Sequence, residues 1–334
     1  MRRLLALPLL SILAPAASLR AQDIIVSPLF GTELRYEQYS AERLLSPEDA
    51  ILIRARPGLG LSTGPWSIAA VSDAAVTVRR NERSTLGGRV PIRPEAVQVD
   101  ELRLDYRGLA KTEISLGRQH LGIADPAITG DRDGQQTFDA ARLRWTGLPG
   151  LSADLAYAWS SSSLWAASQA PLPATVAGDN IFAQLSWTSG LGTLSGYAYQ
   201  IDQRNTAQSD FRLLNQVYGA RFAGNRRIGE SLSLAYSLGF VRQTGSLANA
   251  VSRMPTYWQI GNRLDLGDLS ASQISYRRFA ANGISTLNGN TLSLATSATR
   301  GKLTVGAAYK DFRPLPESGA MSTQDLRISM GLIF

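Results

Sequence analysis

Charged and apolar side chains alternate along several short stretches of this sequence. Within 101–107 the charged members are Glu101, Arg103, Asp105 and Arg107, and apolar residues fill the positions between them. Successive side chains of a β-strand point to opposite faces, so the pattern predicts a strand with one charged and one apolar face. Guanidinium groups bind carboxylates through paired hydrogen bonds. Such a face could bind an anionic solute or neutralise itself through internal ion pairs, and the sequence leaves both interpretations open.

When the same alternation is followed through neighbouring stretches, it predicts that ten charged residues line one inner surface and could contact a solute. They are Arg54, Arg56, Arg103, Arg107, Arg118, Arg142, Arg144, Glu101, Asp105 and Asp139. Arg118 has the parity of Ile114 and Leu116, so its inclusion requires a β-bulge near Gly117. We expect these charges to face the interior because a charge on a lipid face costs ~2–4 kcal/mol at mid-membrane.

Residues that could support catalysis or metal binding are scarce. His120 is the single histidine, and the chain has no cysteine. A serine hydrolase would need a nucleophile close to that histidine, and no such pattern is present. Asp125, Asp131 and Asp133 lie in one segment but lack the closing bidentate glutamate of a calcium loop. We therefore predict no enzyme, no metal site and no cofactor, and we place His120 at a strand end.

The alternation at the carboxyl end gives the strongest structural signal. Apolar residues occupy every second position, at Leu326, Ile328, Met330, Leu332 and Phe334. A soluble sheet rarely ends in an apolar edge strand, whereas the last strand of a membrane barrel pairs with the first. After the leader, the sequence has no run of apolar residues long enough for a spanning helix. Strands are therefore expected to span the membrane.

Reading this period through the chain gives about sixteen strands, with fourteen and eighteen as alternatives. Every second connection is short and turn-like, as in 108–110 and 147–150, and those between are long, as in 120–136 and 161–178. Short periplasmic turns alternating with long external loops are typical of outer-membrane barrels. The predicted fold is an all-β transmembrane antiparallel barrel, whose lumen is narrowed by loop 120–136, loop 161–178 or both.

The first residues have the composition of a secretory leader. Arg2 and Arg3 precede an apolar stretch over 4–13, and small residues follow as far as Ala21. We predict a signal peptide over 1–21 and a single barrel domain over 22–334. Basic residues number 34 and acidic residues 27, and this excess favours anionic over cationic solutes.

One hairpin-like stretch resembles a known family. Its residues are Gly117-Arg118-Gln119-His120-Leu121, Asp125, Gly130-Asp131-Arg132 and the segment 136–143. This pattern resembles the signature hairpin of the alginate export family, and 34–37 is similar to that family's first strand. The resemblance implies an outer-membrane barrel that passes anionic polysaccharide or related solutes. It implies the fold and the channel role rather than the substrate.

Together these patterns predict a passive, porin-like channel in the outer membrane of a Gram-negative cell, for hydrophilic, anionic solutes or oligosaccharides. The expected partners are those solutes, among them an anionic polysaccharide, and outer-membrane lipid. No nucleic-acid partner is expected, and the chain is expected to be a monomer. The alternative is a closed barrel whose external loops bind a partner or a surface polymer.

Overall fold

Sixteen antiparallel strands form a ring in the part of the chain that the computed structural model describes. The described residues are 24–41, 48–81, 96–122, 136–163, 175–204, 212–229, 232–245, 255–266, 270–281, 289–315 and 321–333. The strands are β1 (Ile25–Ala41), β2 (Glu48–Thr63), β3 (Trp66–Asn81), β4 (Ala96–Leu109), β5 (Thr112–Gln119), β6 (Gln136–Leu148), β7 (Leu151–Ser163), β8 (Thr175–Ser189), β9 (Gly192–Arg204), β10 (Arg212–Arg227), β11 (Leu232–Gly245), β12 (Pro255–Leu266), β13 (Ser270–Ala281), β14 (Gly289–Arg300), β15 (Leu303–Pro314) and β16 (Thr323–Ile333). Strands adjacent in the chain are adjacent in the sheet.

The two ends of the sheet join. β1 pairs with β16 from Gly31↔Ile333 to Ala41↔Thr323 and with β2 on its other side. Each strand therefore has two neighbours, and no open sheet edge faces hydrocarbon. The predicted transmembrane antiparallel barrel is confirmed, with the predicted sixteen strands among the described residues. No described helix is long and apolar enough to cross a membrane. The leader predicted over 1–21 lies outside the described residues.

Large apolar side chains cover the outer face of the barrel. Members of this exposed set, taken from around the ring, are Leu34, Ile53, Leu104, Ile114, Leu143, Leu155, Leu185, Leu194, Leu238, Ile260, Leu294, Val305 and Ile328. An apolar outer surface on so many of the described strands is stable against lipid and not against water. The alternation read from the sequence therefore sorts side chains between lipid and lumen.

Aromatic rings gather at the two ends of the barrel. At the end that carries the short connections, called the turn end below, the rings of Trp66 and Tyr106 lie 4.4 Å apart, and Trp187 is exposed. At the opposite end, called the loop end, Phe240 and Trp258 lie 4.6 Å apart. Indole and phenol rings favour the lipid–water interface, so these two belts set the position of the barrel in the bilayer.

Some strands are longer than their hydrophobic pattern. β1 covers Ile25–Ala41, whereas charged and apolar residues alternate only in a shorter stretch around Glu33, Arg35 and Glu37. Its pairing with β2 continues from Tyr39↔Glu48 to Ile25↔Ser62. Period-2 hydrophobicity marks only the part of a strand that faces lipid, because residues beyond the membrane have no reason to alternate.

An ion-pair cluster connects the closing strands through Glu37. The Arg35 guanidinium contacts two carboxylates of its own strand, Glu33 (Nη2–Oε1 2.7 Å) and Glu37 (Nη1–Oε1 3.1 Å), and Arg327 Nε of β16 lies 3.3 Å from the same Glu37 oxygen. Arg35 and Glu37 are both buried. The cluster therefore reinforces the backbone pairing of β1 with β16.

Changing Arg35 to Met should lower the stability of the barrel. Glu33 and Glu37 would lose their shared cation, and breaking a buried ion pair typically costs ~3–5 kcal/mol. The loss here should be about 2–3 kcal/mol, because Arg327 still compensates Glu37 and the Glu33 side chain is 23% exposed. The measurement is the denaturant midpoint in detergent, followed by tryptophan fluorescence.

Arg263→Gln is the matched control. Arg263 also pairs with a carboxylate of its own strand, Asp265, at 2.9 Å, but its side chain is half exposed. Exposed ion pairs contribute ~0–1 kcal/mol, so this midpoint should barely move. Equal shifts in the two variants would contradict a special role for the seam cluster.

Candidate channel lumen

The inner surface from β1 to β7 is a wall of ion pairs. Arg54 of β2 is buried and donates from Nε to Asp73 Oδ1 of β3 at 2.7 Å, and its Nη2 contacts the other Asp73 oxygen. Asp73 is fully buried. In the backbone register of β3 with β4 it lies opposite Gln98, just beyond a register shift. Arg54 therefore has its predicted inward position, but a carboxylate within the wall neutralises it.

The charged row of β4 is neutralised along its own strand. Arg103 contacts Glu101 (Nη1–Oε1 2.6 Å) and Asp105 (Nε–Oδ1 2.9 Å). Asp105 is buried and also accepts a hydrogen bond from Ser115 Oγ at 2.7 Å. Three of the predicted inward residues thus form one network instead of three separate charges.

The pairing continues across β4 to β7. Arg107 and Arg144 share Glu113 of β5, and Arg107 Nε lies 3.1 Å from Glu113 Oε2. Arg142 of β6 binds both oxygens of Asp154 on β7, with 2.8 Å between Nε and Oδ1. Paired charges on a wall cancel much of each other's field at a distance. The self-neutralising interpretation therefore describes most of the predicted arginines.

Arg56 of β2 and Arg221 of β10 differ from the other lumen arginines. Both are exposed on inward rows, and neither forms an ion pair with a described residue. β2 and β10 lie eight positions apart in the sixteen-strand ring, so the two side chains come from opposite walls. Both strands run towards the turn end, and the two arginines lie a similar number of residues before it. They are the strongest candidates in the described lumen for positive charge held outside an ion pair, although Arg56 also acts electrostatically on Asp100 of β4.

The predicted inward positions of Arg118 and Asp139 are wrong. The register runs without a shift from Ile114↔Leu143 to Gln119↔Phe138, so Arg118 and Asp139 lie opposite each other in the outward row. Gly117 does have a φ of 114°, but its unusual backbone does not add the residue that a bulge would need. Arg118 instead forms a bidentate pair with Asp139 (Nε–Oδ1 2.8 Å, Nη2–Oδ2 2.9 Å), which also accepts from Ser160 Oγ. Mutual neutralisation is what makes two charges tolerable on this face.

A second sector of the inner surface, across β6 to β11, is apolar and buried. Its members are Phe138, Ala140, Ala156, Ala158, Phe182, Tyr199, Ile201, Val217 and Val241, joined by Leu121 from beyond β5. Ring centroids lie 5.3 Å apart for Phe138–Phe182 and 5.4 Å for Phe182–Tyr199. The first residues of loop 120–136 therefore reach the wall of the lumen at this cluster. The rest of that loop, and most of loop 161–178, lie outside the described residues.

Several residues of the wall escaped the sequence analysis. Glu113 shares the parity of Ser115, and Asp73 has the opposite parity to the exposed Ile68 and Val76 of β3, so this phase could have revealed both. Asp100 could not be found in that way, because the register of β3 with β4 shifts between Val71 and Ser72 and leaves Asp100 as an extra residue of β4. A single bulge reverses the parity of everything beyond it.

The barrel is similar to solved structures of OprD/Occ channels. OpdL of Pseudomonas aeruginosa aligns with a TM-score of 0.57 at 14% identity, over 92% of this chain and 98% of that one. OccK2 (OpdF) of the same organism gives 0.58 at 11% identity, over 92% and 98%, and OccAB1 of Acinetobacter baumannii gives 0.57 at 9%, over 92% and 97%. At these identities the likeness establishes a shared fold. No family model and no curated protein matches the sequence.

The resemblance to the alginate export family is therefore wrong. The similar structures are OprD/Occ channels rather than alginate exporters. The motif that suggested the family combines alternation common to barrel strands with the hairpin around Arg118 and Asp139. That hairpin holds an outward ion pair and contains no described solute-binding feature.

Cysteine scanning should separate the two faces, because the chain has no cysteine of its own. A charged, water-soluble thiol reagent should reduce the current through Arg56→Cys, since a wetted thiol ionises and reacts. It should leave the current through Arg118→Cys unchanged, because that thiol faces lipid. If the reagent blocks the current through Arg118→Cys as strongly as through Arg56→Cys, then residue 118 faces the lumen and its outward assignment is wrong.

Proposed function

We propose that this chain is a passive channel in the outer membrane of a Gram-negative cell, for small hydrophilic solutes. The observation that carries the proposal is a closed barrel with an apolar outer surface and an inner wall of charged side chains. Sixteen strands enclose a lumen wide enough for water. The shared fold with OprD/Occ channels, which are porins, supports the same role. Movement would follow the concentration gradient in either direction.

A preference for anions would come from few residues. Most lumen arginines have a carboxylate within ion-pair distance, as Arg54, Arg103 and Arg142 do. Arg56 and Arg221 face the lumen without such a partner among the described residues. Fixed positive charge on a pore wall attracts anions and repels cations. We assign the lean towards anions to these two residues.

Small solutes fit the proposal better than polymers. The expectation of an anionic polysaccharide came from the alginate-export resemblance, and it loses its basis with that resemblance. Channels of this kind require no chemical step, and we propose neither catalysis nor a cofactor. The apolar outer surface of the described strands can face lipid, which supports the expectation of a monomer.

The alternative function, a closed barrel whose external loops bind a partner, has one observation in its favour. Phe138, Phe182 and Val217 on the inner wall are almost inaccessible to solvent, so part of the lumen is filled. The ion-pair wall opposite favours a remaining wet passage, because buried charges are costly without water or full pairing. Arg107 keeps half of its side chain exposed there.

Conductance in planar bilayers decides between these functions. The purified chain, in phosphatidylcholine membranes with symmetric salt, should give stable single-channel steps. A boiled sample is the control. A correctly folded barrel that leaves the membrane silent would favour the closed barrel and overturn the channel.

Ion selectivity tests the assignment of charge. Arg56→Gln and Arg221→Gln should each lower the anion-to-cation permeability ratio, by about twofold at ~0.1 M salt, where screening extends over ~10 Å. The double variant Arg142→Gln/Asp154→Asn removes one charge of each sign and should keep the wild-type reversal potential. A shift in the double variant alone would show that the ion pairs, and not the unpaired arginines, set selectivity.

A further inference from the structure

His120 is the first residue beyond β5. Its side chain contacts the carboxylate of Asp100, which lies at the β-bulge between β3 and β4. Its Nε2 lies 3.1 Å from Asp100 Oδ1, and the two side chains are 33% and 4% exposed. β3 pairs Val71 with Glu101 and Ser72 with Val99, so Asp100 is the extra residue of β4. The bulge gives Asp100 a position that strict alternation would not.

The charged groups around this pair belong to the lumen wall. Arg54 and Arg56 of β2 act electrostatically on Asp100, and Glu101 of β4 acts on His120. Arg54 is itself paired with Asp73 of β3, and the backbone of Gln136, at the start of β6, hydrogen-bonds His120. Arg118 and Asp139, though close in sequence, lie in the outward row. His120 therefore adds its charge to a group of wall charges that includes Asp100 and Glu101.

We propose that His120 is a selectivity-determining residue whose protonation makes the ion preference of the channel depend on pH. Protonated, it adds one positive charge to the wall that holds Arg56. Neutral, it leaves the negative charge of Asp100 to be balanced by the arginines alone. The inference rests on the proposed channel function and adds a condition under which its anion preference changes.

The chemistry of the pair sets the direction of the effect. The hydrogen bond to Asp100 raises the pKa of His120 above its ordinary value, while burial opposes this rise. The ordinary histidine pKa is about 6.5, so His120 loses its proton at a higher pH than an ordinary imidazole does. Histidine is the one side chain whose unperturbed pKa falls in the physiological range, and this chain has one histidine and no cysteine. A pH dependence between about 6 and 8.5 that His120→Gln removes therefore reports on this residue, whereas the α-amino group titrates equally in both proteins.

Reversal potentials measured across this pH range test the inference. Wild-type channels in phosphatidylcholine bilayers should lose anion preference as the pH rises, by about twofold at ~0.1 M salt. His120→Gln should show no pH dependence and should match the alkaline wild-type ratio at every pH. Asp100→Asn should shift the midpoint to lower pH, because the imidazolium loses its partner.

A second measurement reads the proton directly. Histidine-labelled protein without an affinity tag should give one imidazole resonance in detergent, and its titration midpoint should fall in Asp100→Asn. Conduction with a flat pH profile, or equal pH dependence in wild type and His120→Gln, would overturn this inference and leave the channel standing. A folded protein that never conducts would instead overturn the proposed function, and this inference with it.

Discussion

Backbone hydrogen bonding in hydrocarbon is the constraint on which the rest of this structure depends. A strand in lipid cannot leave its N–H and C=O groups unpaired, and the pairing of β1 with β16 removes the only edges the sheet could have. Closure fixes two surfaces, one against lipid and one around the lumen. The position of each residue along its strand, odd or even, then decides whether its side chain faces lipid or the lumen. The alternation of Leu102, Arg103, Leu104 and Asp105 follows directly.

The lumen is divided into sectors with different physics. From β1 to β7 the wall carries arginines and carboxylates that bind one another, so the paired arginines of this wall exert little field across the pore. From β6 to β11 the inner wall carries the buried apolar cluster, which includes Leu121 from beyond β5. A solute would therefore meet one polar wall and one filled wall. In the proposed channel, selectivity would depend on charges outside ion pairs, such as Arg56, and on a group whose charge changes with pH, such as His120.

The alginate-export motif shows how little family information a short barrel segment holds. Gly117, Arg118, Gln119 and the segment 136–143 follow a pattern that many paired strands can share, because lipid and lumen impose the same alternation on all of them. In this barrel the hairpin pairs Arg118 with Asp139 on the outer row. The shape of the whole barrel, which involves every strand, agrees instead with OprD/Occ channels.

The sequence by itself determined the fold class, the approximate number of strands and the inward direction of Arg54, Arg103 and Arg142, because these follow from period-2 alternation and from the contrast between short and long connections. It could not determine which charges cancel, since a partner such as Glu113 comes from another strand and depends on register. It also misplaced Asp139 and gave no hint of Asp100, because the presence or absence of one extra residue in a strand changes the face of its neighbours. Those positions were decided only by how the strands pair around the closed ring.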